Sequence, residues 1–314
     1  MEVFGGIELP DSRWVDVGGP VHYREWEGPP DGPTFVCVHG LGGSHLNWAG
    51  VAPGLARRGR TIALDLGGFG LTPPAGRKTS VGGNWRLLDG FLRALGLPPV
   101  ILVGNSMGGM ISLIQAAQVP ASASGLILVD AAFPRTRVLT GRPAPRVAAV
   151  FALYSSGRMG EWFVRARAKR FGPEGLVRET FRLCAADPTT IDPILIDAHV
   201  EMARLRTEFE YAADAFLAAA RSIFRAQISP GKYRALVRSV KAPALVTHGA
   251  MDVLVNVAAA REAASEHPNW KLEVFDDLGH VPQMEAPERW LTSVSRWLDA
   301  QAEPPTGADE AQAG

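Results

Sequence analysis

The chain has 314 residues, 46% of them hydrophobic, with 32 basic side chains against 32 acidic ones. That length suits one large domain, or a core domain carrying an insertion. The neutral balance gives no electrostatic reason to expect a nucleic-acid partner, and no apolar run reaches membrane-spanning length.

In chain order, residues 13–17 and 21–25 flank Gly18-Gly19-Pro20, which predicts a β-hairpin. After the loop at 28–33, the apolar run 34–38 reads as a buried strand ending in His39-Gly40-Leu41-Gly42-Gly43-Ser44. A helix is predicted over 48–58, a strand over 60–66, and a glycine-rich turn at Gly67-Gly68-Phe69-Gly70. A helix at 81–95 leads to a strand at 100–103, a helix at 107–118 and a strand at 125–130. Strands that are apolar throughout and alternate with helices predict an α/β fold, a mostly parallel sheet with helices on both faces.

The pattern then breaks. Residues 133–240 contain no convincing core strand, only helical stretches at 144–155, 161–170, 175–185, 193–210 and 212–225. Asp187-Pro188 and Asp192-Pro193 look like helix starts. Strand and helix alternate again at 244–248, 257–266, 271–275 and 287–300. The expected organisation is a core at 1–132 and 241–300, a helical cap inserted at 133–240, and a disordered tail at 301–314.

The stretch Gly104-Asn105-Ser106-Met107-Gly108-Gly109 stands between an apolar strand and a helix. A chain that turns straight from strand to helix strains the turn residue, and it can pass only if its neighbours lack bulk. Gly104 and Gly108 meet that need, and Gly109 lets the helix lie close to the sheet. Ser106 is thereby presented at the carboxyl edge of the sheet as a candidate nucleophile.

A serine hydroxyl needs a base, and the base needs an orienting carboxylate. Two strand-end loops supply them: Gly249-Ala250-Met251-Asp252 and Asp276-Asp277-Leu278-Gly279-His280. His280 is the candidate base and Asp252 the candidate acid, with Asp130 as the alternative acid at the end of its own strand. The remaining histidines, His22, His39, His45, His199, His248 and His267, sit in positions that fit a base less well. An oxyanion would be held by two backbone N–H groups, those of Met107 and Leu41. Cys37 and Cys184 lack metal-ligand spacing, so reduced thiols, no metal and no cofactor are expected. Met1–Gly6 shows no secretory pattern, so a cytoplasmic location is expected.

Together, His39-Gly40-Leu41-Gly42-Gly43, the Ser106 turn, Gly249 to Asp252 and Gly279-His280 resemble the α/β-hydrolase superfamily. Asp65-Leu66-Gly67-Gly68-Phe69-Gly70 is similar to its usual Asp-x-Pro-Gly-x-Gly turn, with Gly67 where proline is commoner. The resemblance implies a serine hydrolase acting on a carboxylic ester of a small, largely apolar substrate, with no cofactor. Dehalogenases and epoxide hydrolases of this fold carry an aspartate nucleophile, and Ser106 stands apart from them. C–C hydrolases share the Ser, Asp and His but often carry an aromatic residue after the histidine, where this chain has Val281-Pro282. Gly279-His280-Val-Pro-Gln-Met-Glu285 looks more like the carboxylesterase and small-lipase branch. The alternatives kept open are a C–C, thioester or lactone hydrolase with the same triad, and a ligand receptor on this fold.

The insertion is rich in arginine, with Arg135, Arg137, Arg142, Arg146, Arg158, Arg165, Arg167, Arg170 and Arg178, and Lys169 among them. These read as a solvated helix surface, or as attraction for an anionic substrate or an acidic carrier. Phe151, Tyr154, Trp162, Phe163, Phe209 and Phe216 are expected to form the insertion's own core.

Overall fold

A computed structural model describes residues 1–136, 145–154 and 156–302. Arg137, Arg142, residues 144 and 155 of the first inserted helix, and the tail from 303 lie outside the described residues, as do the side chains of Arg146 and Phe151.

The first half of the chain forms β1 (Glu2–Phe4), β2 (Ile7–Leu9), β3 (Arg13–Asp16), β4 (Pro20–Trp26), β5 (Phe35–Val38), α1 (Ala52–Ala56), β6 (Thr61–Leu64), α2 (Val81–Ala94), β7 (Val100–Asn105), α3 (Met107–Gln118) and β8 (Ala123–Val129). Five helices follow: α4 (Pro145–Tyr154), α5 (Gly157–Cys184), α6 (Pro193–Arg206), α7 (Ala212–Ile228) and α8 (Pro230–Arg238). The chain then runs through β9 (Ala244–Gly249), α9 (Val257–Ser265), β10 (Trp270–Phe275), α10 (Pro282–Glu285) and α11 (Pro287–Ala302).

Eight strands make one sheet in the order β10-β9-β8-β7-β5-β6-β4-β3. β3, β4 and β6 pair antiparallel and the rest pair parallel. Alternate side chains feed two cores. Val36, Val38, Leu102 and Leu128 face α2, α3, α8 and α9, whereas Phe35, Cys37, Val103 and Ile127 face Trp48, Trp290 and Trp297. Burial on both faces explains why these strands read as unbroken apolar runs. Cys37 and Cys184 are both free.

Three local features differ from the sequence reading. The helix expected over 48–58 is a 3-10 turn at His45–Trp48, capped by Ser44 and Asn47, followed by the five-residue α1. The stretches at 161–170 and 175–185 fall within α5, broken where Gly172 adopts φ 62 before Pro173. α8, which the pattern did not single out, packs on the sheet side. Tyr233 and Val237 join the core beside α3, and Tyr233 Oη donates to Ala132 O at 3.0 Å.

The turn from β7 into α3 is as tight as its glycines demand. Ser106 sits at φ 54, ψ −115. A Cβ added at Gly108 would lie 2.0 Å from Val38 O, and one at Gly104 would lie 2.6 Å from Gly108 O. Both obstacles are backbone and cannot rotate away. Gly108→Ala is therefore expected to destabilise the protein by roughly 1–3 kcal/mol or more, read as a lower denaturation midpoint. An unchanged midpoint would mean the turn has room that these distances deny.

Candidate active site

The parallel strands β5, β7, β8 and β9 end at one edge, and the loops that follow them carry the candidate residues. Ser106 follows β7, Asp130 follows β8, Asp252 follows β9 and His280 follows β10.

His280 Nδ1 and Asp252 Oδ2 are 2.7 Å apart, with the Asp252 side chain fully buried. Asp252 Oδ1 accepts from Leu254 N at 2.7 Å and Val255 N at 3.1 Å. Burial opposes the charge on Asp252, but His280, His248 and the backbone donor outweigh it, so its pKa is held below the ordinary carboxylate value. The carboxylate is thus fixed in the charged form that accepts Nδ1–H and leaves Nε2 of His280 free to take a proton.

Asn105 ties this loop to the serine turn. Its Nδ2 donates to His280 O and to Val129 O, each at 3.1 Å. The backbone of His280 is held a second time, its N–H donating to Cys184 O at the end of α5, at 2.6 Å. Glu285 adds a third tie. Its Oε1 accepts from Gly279 N at 2.8 Å and its Oε2 from Ala186 N at 2.7 Å, joining the histidine loop to the chain leaving α5. Among the described residues the Ser106 hydroxyl makes no hydrogen bond. A nucleophile and its base are often out of contact until substrate is present.

The N–H of Met107, the first residue of α3, has no acceptor within the helix. The loop carrying Leu41 passes close by: a Cβ at Gly40 would lie 3.3 Å from Ser106 Cβ. His39 pins the start of this loop, with Nδ1 donating to Gly40 O at 2.7 Å and Nε2 accepting from Leu66 N at 3.0 Å. Burial lowers the His39 pKa to about 4, which keeps the ring neutral and both bonds in place. Leu41 packs against the cluster of Tyr154, Leu217 and Ala220, so α4 and α7 lie against this loop.

Asp130 does not bond His280. It lies behind Asp252, fully buried, at φ 44, with Oδ1 accepting from Gly249 N at 3.0 Å. Asp130, His248 and Asp252 each bring a polar atom within 4.8 Å of the others. Burial and the neighbouring Asp252 charge raise the Asp130 pKa well above its ordinary value. An acid that binds its proton more tightly when folded contributes most stability at low pH and loses it as pH rises from the ordinary value of 3.8 towards the raised folded one. An asparagine in its place would be neutral at every pH. Asp130→Asn is therefore expected to raise the melting temperature relative to the parent, by a margin that widens from about pH 4 to about pH 7. A margin that shrinks over that range would show that Asp130 carries its charge.

A second polar hub lies outside this edge. Asp65, from the glycine-rich turn, accepts from His22 Nδ1 at 2.8 Å, His45 N at 2.7 Å and Leu71 N at 2.9 Å, with His45 Nδ1 3.0 Å away. These contacts organise the turn. His22 Nδ1 and His45 Nδ1 both lie against Asp65, and His248 Nε2 donates to Val255 O at 3.0 Å, whereas His45 Nε2, His248 Nδ1 and Asp130 Oδ2 have no hydrogen-bond partner among the described residues.

Asn105, Glu285 and His39 were not assigned roles from the sequence. The signals were present, Asn105 inside the serine turn, Glu285 closing the histidine motif and His39 opening the loop motif, but their partners lie up to 175 residues away.

Residues 33–287 match the family described as alpha/beta hydrolase fold. Over 88% of its length the chain is 28% identical to a dihydrolipoyllysine-residue acetyltransferase component of an acetoin cleaving system from Pseudomonas putida, and it spans 64% of that relative. It is 27% identical to the uncharacterized hydrolase YugF of Bacillus subtilis, covering 89% of this chain and 94% of the relative. A serine hydrolase from Cycloclasticus zankles superposes with a TM-score of 0.73 at 20% identity, over 94% of this chain and 99% of that one.

Proposed function

The chain belongs to the α/β-hydrolase fold family, and on that premise we propose that it is a serine hydrolase of carboxylic esters with small, largely apolar acyl or alcohol groups. Ser106 attacks the ester carbonyl. His280 takes the serine proton and returns it to the leaving alkoxide, while Asp252 orients the imidazole and stabilises its charged form. The N–H groups of Met107 and Leu41 hold the oxyanion. Water activated by His280 then releases the carboxylic acid, and free enzyme is restored. The inserted helices act as a cap that excludes water and selects the ester by shape.

The observation that carries this reading is the 2.7 Å contact between His280 Nδ1 and Asp252 Oδ2, in a loop tied by Asn105 to the Ser106 turn. The apolar cluster of Tyr154, Phe163 and Phe216 over Leu41 supports an apolar substrate.

The test is a screen of p-nitrophenyl esters of increasing chain length, with an active-site phosphonate as control. Turnover abolished by stoichiometric phosphonate, with the label on Ser106, supports the proposal. Absence of turnover across the series, or label on another residue, would overturn it.

A further inference from the structure

We propose that the outer face of the first half of α5 docks this protein onto an anionic lipid surface. At 3.6 residues per turn, Arg158, Arg165, Lys169 and Arg170 share one arc of roughly 140° with Met159 and Trp162. The arc holds no acidic residue. Trp162, expected from the sequence in the insertion's core, is instead 69% exposed, and Met159 is 58% exposed, among the most exposed large apolar side chains described.

The cations on this arc differ from those elsewhere on the helix. Arg167 pairs with Glu179 and Arg178 with Glu174. Arg158, Arg165 and Lys169 pair with no carboxylate among the described residues, and Glu161, at the margin of the arc, is 3.5 Å from Arg221. Val164 lies on the opposite face and Phe163 on the flank beside Arg170, and both pack on the cluster of Tyr154, Leu217 and Ala220. Trp162, about 100° round the helix from Phe163, is therefore not the unfinished edge of that cluster.

A convex helix face cannot converge donors on one small anion. It can lie flat on a plane of phosphates, with the cations over the headgroups and Trp162 and Met159 at the boundary with the acyl chains. A second copy of this chain is disfavoured, because a two-fold contact would set the same unpaired cations against each other. The helix that carries this face also packs, through Phe163 and Val164, on the cluster of Tyr154 and Leu217 against which Leu41 lies. Docking would thus set the roof of the candidate site beside the phase in which apolar esters concentrate. The docking itself does not depend on the catalytic proposal, since Ser106→Ala protein should bind as the parent does.

Sedimentation with vesicles tests this. One set is phosphatidylcholine alone and the other contains about three-tenths phosphatidylglycerol. Binding is expected only with the second, weakening as salt rises towards about 0.5 M. The combined variant R158E/R165E/K169E should lose about a hundredfold or more in partition coefficient, and Trp162→Ser a smaller, salt-independent share. Both should retain the parent's melting profile and its turnover of a short soluble ester. Equal binding to both vesicle sets, or undiminished binding of the combined variant, would overturn the proposal. So would a dimer in solution that Trp162→Ser dissociates, which would assign the face to a second copy. Retention on immobilised polyglutamate without vesicle binding would equally overturn it, in favour of an acidic protein partner.

Discussion

Replacing Ser106 with alanine is expected to lower kcat for ester hydrolysis by about a thousandfold to a millionfold, as removal of the nucleophile does in serine hydrolases. The fold should survive. The Ser106 backbone is held by its own N–H to Val129 O at 3.0 Å and by Ala132 N to its carbonyl at 3.0 Å, neither of which uses the side chain. The hydroxyl supports no other contact, so alanine leaves no buried group unpaired. Its strained φ of 54 costs alanine much what it costs serine. The measurement is kcat on the best ester of the screen, together with a thermal melt. A variant with near-parental kcat and an unchanged pH profile would remove Ser106 from the mechanism, whereas a variant that fails to melt cooperatively would show that the hydroxyl is structural.

Replacing Asp252 with asparagine comes next, with an expected loss of about ten-thousandfold in kcat. An asparagine carbonyl can still accept from Leu254 N and Val255 N, the bonds that shape the loop. Its amide group would then face His280 Nδ1 as a donor. The imidazole would shift its proton to Nε2, and Nε2 could no longer take one from Ser106. Asp130→Asn should cost far less in kcat, because Asp130 lies behind Asp252 and makes no bond to His280. Once Asp252 is neutral, however, one of the two main causes that raise the Asp130 pKa is gone, and burial is the main cause still opposing its charge. The double variant is therefore expected to fall below Asp252→Asn alone, as any share taken over by Asp130 disappears. Reversed penalties for the two single variants would place the acid at the end of β8 instead.

The two aspartates mark where sequence reasoning stopped. Both end parallel strands that reach one sheet edge, so strand order alone leaves either within reach of the histidine. The choice between them depends on the path of the loop after β9, which is held from the ends of β8 and β10, Gly249 N donating to Asp130 Oδ1 at 3.0 Å and Ala250 N to Phe275 O at 2.8 Å.

What could be read directly was what local physics imposes. Unbroken apolar runs predicted β5, β6, β7, β8 and β9, because each is buried on both faces. The glycines around Ser106 announced the turn, because a side chain there would strike backbone within a few residues or on the adjacent strand. α3 runs over Met107–Gln118, the span its pattern predicts, between that turn and Pro120. Tertiary structure alone decided the rest: that Asn105 holds the His280 carbonyl, that Glu285 and Cys184 tie the histidine loop to α5, that Asp130 is buried behind Asp252 with its pKa raised, and that α8 packs on α3. Those facts rest on groups about 100 to 175 residues apart, whose meeting follows from the lateral order of strands. Hydrophobic periodicity records which face of an element is buried, but carries no information about which distant polar group will lie against it.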